Sequence, residues 1–227
     1  GILRGAVLMM KEQVREQLIH LAEPDYKAFN EKMLPGVTNI LGVRLPKLRE
    51  IAKRIAKNDA QSYLCQMRET DWRADGSYEE KMIYGLVIGY ARMSHDEYKE
   101  QLDAFVPLID SWGVCDSCCN TYKLMKEQPD VWWEYLNSWT ATDTEYGIRF
   151  GLVSMLSHFV DEAHIHEIFK VCSQIHNDGY YAKMAAAWLV SVCFAGFPEE
   201  TYAFLQDNQM DDFTHNKSIQ KTCESYR

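Results

Sequence analysis

The chain has 227 residues, 47% of them apolar, and a formal net charge of −9, which is enough apolar mass for one elongated core or two small ones. No apolar stretch reaches the about 20 residues of a bilayer span, and KEQVRE follows the brief apolar run of GILRGAVLMM without a small-residue cleavage site, so neither a transmembrane helix nor a secretory signal is expected. Seven cysteines, an odd number in a chain too long to need stapling, fit reduced thiols in a cytoplasmic protein.

The charge is uneven: residues 1–60 hold 11 Lys+Arg against 7 Asp+Glu, net +4, and residues 61–227 are net −13. Positive charge near the start is the plausible polyanion contact, and the acidic remainder reads either as a solvated surface or as a surface unsuited to broad nucleic-acid binding.

Apolar residues recur with helical period throughout, and no alternating run flanked by hairpin turns stands out, so the fold class is all-α. The first helices span roughly 8–22 and 24–34. The connection MLPGVTNILGVRLPK, 33–47, contains glycines but lacks the G-x-x-x-x-G-K-[ST] pattern of a phosphate loop. RLPKLREIAKRIAK opens a helix over 46–58, with Pro46 in its first turn; Leu48, Ile51, Ala52 and Ile55 share one face, and Lys47, Lys53, Arg54 and Lys57 lie mostly on the other. That is an ordinary amphipathic surface or a phosphate-backbone contact, salt-sensitive and blind to base sequence.

Helices over 77–93 and 95–105 precede the stretch SWGVCDSCCNTYK, in a helix over 112–127. Trp112, Asp116, Asn120 and Lys123 form one stripe; Cys115, Cys118, Cys119 and Tyr122 form an apolar stripe about 100° round the axis. The cysteines have core spacing, and the carboxylate does not. Cys115-x-x-Cys118 could start a zinc site, but no second Cys-x-x-Cys completes four ligands, so no metal is expected.

Helices follow over 130–138, 144–159, 161–175, 179–194, 198–207 and 214–224. In the 144–159 helix, Arg149 stands alone among apolar residues and either snorkels or lines a cleft. His164 and His166 are two apart, on different faces of their helix, and read as solvated or capping. In YYAKMAAAWLVSV, Trp188 follows three alanines, with the core as its default place. Long apolar helices begin near 46, 77, 112, 144 and 179, every 31 to 35 residues, the spacing of stacked helical pairs in one α-solenoid spanning 1–227 as a single HEAT-like domain.

In combination, GVRLPKLREIAK at 42–53, SYEEKMIYGLVIGY at 77–90, IDSWGVCDSCC at 109–119 and the closing MDDFTHNKSIQKTCESYR resemble the DNA-alkylation-repair family of AlkD-like DNA glycosylases built from HEAT-like repeats. Most specific is W-x-x-x-D followed by an Arg and a second Trp in later repeats. The resemblance implies a glycosylase that excises positively charged N3- and N7-alkylated purines from duplex DNA without flipping the base into a pocket. It further implies Asp116 as catalytic carboxylate, Trp112 and Trp188 as indoles cradling the lesion's deoxyribose, and Arg149 as a DNA-backbone contact, the four meeting in one concave cleft. Lys47, Lys53, Arg54 and Lys57 would add phosphate contacts. Duplex DNA would be the partner of a monomer that needs no cofactor. The alternative is a non-catalytic helical-repeat module binding nucleic acid or a protein.

Overall fold

Prolines set several helix starts. Pro24, Pro46, Pro129 and Pro198 occupy first-turn positions of their helices, where a missing N–H costs nothing because no intrahelical acceptor exists there. The computed structural model describes residues 2–226, with side chains from Met10 onward. It contains α1 Ile2–Leu21, α2 Pro24–Met33, α3 Leu45–Glu69, α4 Tyr78–Tyr90, α5 His95–Phe105, α6 Trp112–Cys119, α7 Pro129–Thr140, α8 Glu145–His158, α9 Ile165–Ser173, α10 Tyr180–Gly196, α11 Pro198–Gln206 and α12 Asp212–Glu224. Two short 3-10 turns, Val106–Leu108 and Lys123–Glu127, complete it, and no strand occurs among the described residues. The all-α expectation holds.

Three elements differ from the sequence reading; the first is α1, expected from about residue 8, which begins at Ile2. The helix expected to stop at 58 runs on to Glu69 across a kink at Asp59, whose backbone is non-helical (φ −153, ψ 72). Its carboxylate accepts the Ser62 N–H at 3.2 Å and so restarts the helix as an N-cap would. Beyond the kink, Tyr63, Leu64 and Met67 are fully buried, which supplies the apolar face that continues it. The helix expected over 112–127 instead ends at Cys119, and Lys123 begins a 3-10 turn, so Lys123 leaves the Trp112 stripe.

The chain divides into two compact units, residues 1–122 and 123–227. In the first, α3 packs on α1 and α4, and α4 packs on α6. Ser77 and Glu80 form a capping box at the start of α4, satisfying two N–H groups reciprocally. In the second unit α8 packs against α7 and α10, and α10 against α12. Ala185, Ala186 and Ala187 are fully buried, the small residues that let helix axes approach.

Candidate functional site

Ser111 caps α6 by accepting the Val114 N–H at 3.2 Å, which fixes the rotation of an eight-residue helix and hence what each face meets. Cys115, Cys118, Cys119 and Tyr122 are all fully buried, and the Tyr122 hydroxyl donates to the Gly85 carbonyl at 3.0 Å. The cysteine stripe is core. Trp112 and Asp116 are half-buried and Asn120 is exposed, so the other stripe reaches solvent. The Trp112 indole N–H donates to the Met33 carbonyl at 3.1 Å; this satisfies an otherwise unpaired carbonyl in the last turn of α2 and holds the ring in place.

Beside α6 lies a cavity of about 280 Å³. Its walls carry four aromatic rings, Tyr26 and Phe29 from α2, Tyr78 from α4 and Trp112 from α6, over an apolar floor of Leu34, Val43, Leu48 and Met82. Gly113 and Ser117 line it too. A Cβ on Gly113 would run into the Tyr78 hydroxyl, so the missing side chain is what lets the phenol lie across the first turn of α6. Successive helical residues turn by about 100°; with Trp112 at 0°, Gly113 falls near 100°, Ser117 near 140° and Asp116 near 40°. Asp116 therefore projects from the same side of α6 as Trp112, although the residues that line the chamber from this helix are Trp112, Gly113 and Ser117. Burial pushes the Tyr78 phenol well above its ordinary range, and the charges of Glu79 and Asp116 add to that shift.

The chamber's remaining wall is a loop braced from beneath. Glu79 is fully buried, and its carboxylate accepts the N–H groups of Leu41, Gly42 and Val43 at 2.9, 2.9 and 3.2 Å. Three convergent amides of this kind make an anion-binding nest, and here the anion is a side chain of the same unit. The glycine-containing connection thus has its donors occupied internally. Gly42 adopts φ +95, and a Cβ there would lie 2.6 Å from the Glu23 carbonyl oxygen, so the turn needs glycine. Sequence reading passes over Glu79 because its partners lie 36 to 38 residues away.

Lys47, Lys53, Arg54 and Lys57 are all exposed along α3. Arg54 donates to the Gln17 side chain at 2.7 Å, and the Lys53 ammonium lies 5.3 Å from the Tyr90 ring centroid. At the kink, Lys53 and Lys57 share a groove of about 810 Å³ with Tyr90 and Arg92. Arg92 is an exposed cation that the sequence does not single out, because it stands outside the basic run.

In the second unit, Arg149 is buried, with 7% of its surface exposed. It donates to the Tyr181 carbonyl at 2.8 Å, and its guanidinium carbon lies 5.9 Å from the Tyr181 ring centroid. It neither snorkels nor lies bare; a backbone carbonyl takes one of its donors. Trp188 is half-buried, which corrects its default placement in the core. The inward arc of α10 is filled by the three alanines, Leu189 and Val190, leaving Tyr181, Met184 and Trp188, spaced i, i+3, i+7, on a half-exposed face. Tyr181 stacks on Tyr146 at 5.8 Å and 24°.

Comparison with curated proteins finds no match. A family model described as DNA alkylation repair enzyme matches residues 14–222. That span starts in α1, ends in α12 and contains Trp112, Asp116, Arg149 and Trp188. The chain belongs to the DNA alkylation repair enzyme family.

Proposed function

We propose that this member of a DNA repair family is a monofunctional DNA glycosylase that hydrolyses the N-glycosidic bond of positively charged N3- or N7-alkylated purines. The observation that carries the reading is Asp116, a half-buried carboxylate one helical turn after the half-buried Trp112 on the same side of α6. An alkylated purine is already a cationic leaving group, so no acid is needed to protonate it. The C1′–N bond breaks heterolytically, its electron pair neutralises the purine, and positive charge develops across C1′ and the ring oxygen of the sugar. A carboxylate stabilises that charge and orients a water, whose oxygen bonds to C1′ as its proton is lost. Trp112 and Trp188 add electron-rich faces for the cationic sugar. Arg149, Lys47, Lys53, Arg54 and Lys57 contact DNA phosphates, setting position and not sequence.

The test is release of 7-methylguanine or 3-methyladenine from methylated duplex DNA under single-turnover conditions. Release above the rate of buffer alone is expected. Tight DNA binding without release would favour the second reading, a non-catalytic repeat module, for which the net charge of −13 over residues 61–227 is the supporting observation: such a surface suits a basic protein partner better than a long duplex.

A further inference from the structure

Three polar side chains converge on the first turn of α6. Gly113 has no side chain, and the Tyr78 hydroxyl lies against the place its Cβ would take. With Trp112 at 0°, Gly113 falls near 100°, between Asp116 near 40° and Ser117 near 140°. Those two residues follow Gly113 by three and four positions, which makes them its neighbours on the helix surface. Helical side chains lean toward the N-terminus, so the Asp116 carboxylate and the Ser117 hydroxyl tilt back over the glycine, toward the phenol. Tyr78, Asp116 and Ser117 are all half-buried, open to single waters but shielded from bulk solvent, and Tyr78 and Ser117 line the chamber beside them. Burial first, and then neighbouring charges with that of Asp116 among them, raise the Tyr78 phenol above its ordinary range. The phenol therefore keeps its proton near neutrality and stays a donor.

We propose that Tyr78, Ser117 and Asp116 together hold the water that attacks C1′. A water keeps a fixed place where two to four polar groups meet it, and these three groups have complementary roles. The water donates one hydrogen to the Asp116 carboxylate and the other to Ser117 Oγ, and it accepts the Tyr78 O–H on one lone pair. Its second lone pair is left for C1′. As the oxygen bonds to C1′, the proton shared with Asp116 passes to the carboxylate, and the purine leaves with the electron pair of the broken C1′–N bond. Holding the water in this way removes an entropic search from the barrier. The inference rests on the glycosylase reading for the reaction and adds two residues that the resemblance does not name.

Single-turnover excision of 7-methylguanine at saturating protein, with duplex affinity measured in parallel, tests this. Tyr78→Phe loses one hydrogen bond, so the rate should fall about 5- to 10-fold while Kd for methylated duplex stays unchanged. Ser117→Ala should fall by a similar factor, and Ser117→Thr, which keeps the hydroxyl, should stay near wild type. Gly113→Ala puts a methyl against the phenol hydroxyl; it should slow excision alone and add nothing to Tyr78→Phe. In the Asp116→Asn background, where the water has lost the group that takes its proton, Tyr78→Phe should cost less than about 2-fold, because residues acting as one unit are not additive. A tyrosine that only supports the fold would cost the same in both backgrounds. Full rate in Tyr78→Phe or Ser117→Ala, equal losses in the two backgrounds, or a loss confined to Kd would each overturn the proposal. The two readings fail separately: excision that Tyr78→Phe leaves at full rate removes the water site and keeps the glycosylase, whereas no release by the wild type removes both.

Discussion

Glu79 and Asp116 stand on two helices of one unit, α4 and α6, that pack against each other, and they differ in burial. Glu79 is fully buried and accepts three backbone N–H groups, which replace the water its charge has lost. Asp116 is half-buried on the side of α6 that also presents Trp112. A buried charge persists only where fixed dipoles surround it, and one so surrounded has its lone pairs committed to holding a loop. A charge that works on a substrate needs access to water and a neighbouring space for the reacting group. The same functional group thus serves fold or chemistry according to where its helix face points.

The largest expected effect tests the chemical half of that contrast. Asp116→Asn keeps size and hydrogen bonding and removes the charge, so single-turnover excision of 7-methylguanine should fall by about 10²- to 10³-fold. The variant should stay folded, with an unchanged helical circular dichroism spectrum, so that the loss reads as chemistry. If excision is unchanged, Asp116 is not the catalytic carboxylate. Glu79→Ala should behave in the opposite way. Three buried N–H groups would lose their acceptor, costing about 3 kcal/mol or more, read as a lower urea midpoint. Activity should be lost with the folded fraction and return under conditions that restore folding. Wild-type stability in Glu79→Ala would show that water replaces the carboxylate without penalty.

A smaller effect concerns the exposed cations of α3, which have neither the burial of Glu79 nor the half-buried setting of Asp116. Charge reversal at Lys47, Lys53, Arg54 and Lys57 should weaken binding to any duplex alike. For every DNA phosphate that the variant no longer neutralises, the log–log salt slope should flatten by about 0.9. Adding Arg92→Glu should flatten it once more, because Arg92 lines the groove that holds Lys53 and Lys57. Equal salt slopes for wild type and the fourfold variant would remove α3 from the DNA-binding surface.

Much of the fold is readable along the chain because the signals are local. Period-3.6 apolar spacing and first-turn prolines locate every helix to within a few residues apart from the ends of α1, α3 and α6, and the i, i+3, i+4, i+7 spacing of Cys115, Cys118, Cys119 and Tyr122 marks them as core. What escapes such a reading is non-local or geometric. The nest around Glu79 joins residues 36 to 38 apart, and the chamber takes walls from α2, α3, α4, α6 and the loop between α2 and α3; no window along the sequence contains either. The kink at Asp59 reads as an end because a capping carboxylate looks alike at a helix start and a helix restart. Trp188 reads as core from its size, although the alanines before it already fill the inward arc of α10.

The smallest effects are expected at the cysteines, and they separate the two stripes of α6. Burial pushes the Cys118 thiol far above its ordinary range, and the neighbouring Cys119 pushes it further; burial likewise raises Cys193 to about 12. The sign follows directly. A thiol whose folded pKa is raised keeps its proton where the unfolded chain, with a value of about 8.5, has begun to release it. Stability from these groups is therefore fully present below about pH 8.5 and declines as pH rises beyond it. Cys118 and Cys193 therefore stay protonated in the folded protein near neutrality and lack the nucleophilic form of the group. Iodoacetamide at pH 8 should modify the exposed Cys65 and Cys223 and spare Cys115, Cys118, Cys119, Cys172 and Cys193, all buried, as peptide mass analysis would show. Cys118→Ser should leave excision unchanged while costing about 1–2 kcal/mol of stability, because its Sγ packs closely enough on Gly85 that a Cβ there would collide with it. Loss of turnover in a folded Cys118→Ser protein, with Asp116→Asn fully active, would reverse the assignment and move the chemistry to the thiol stripe.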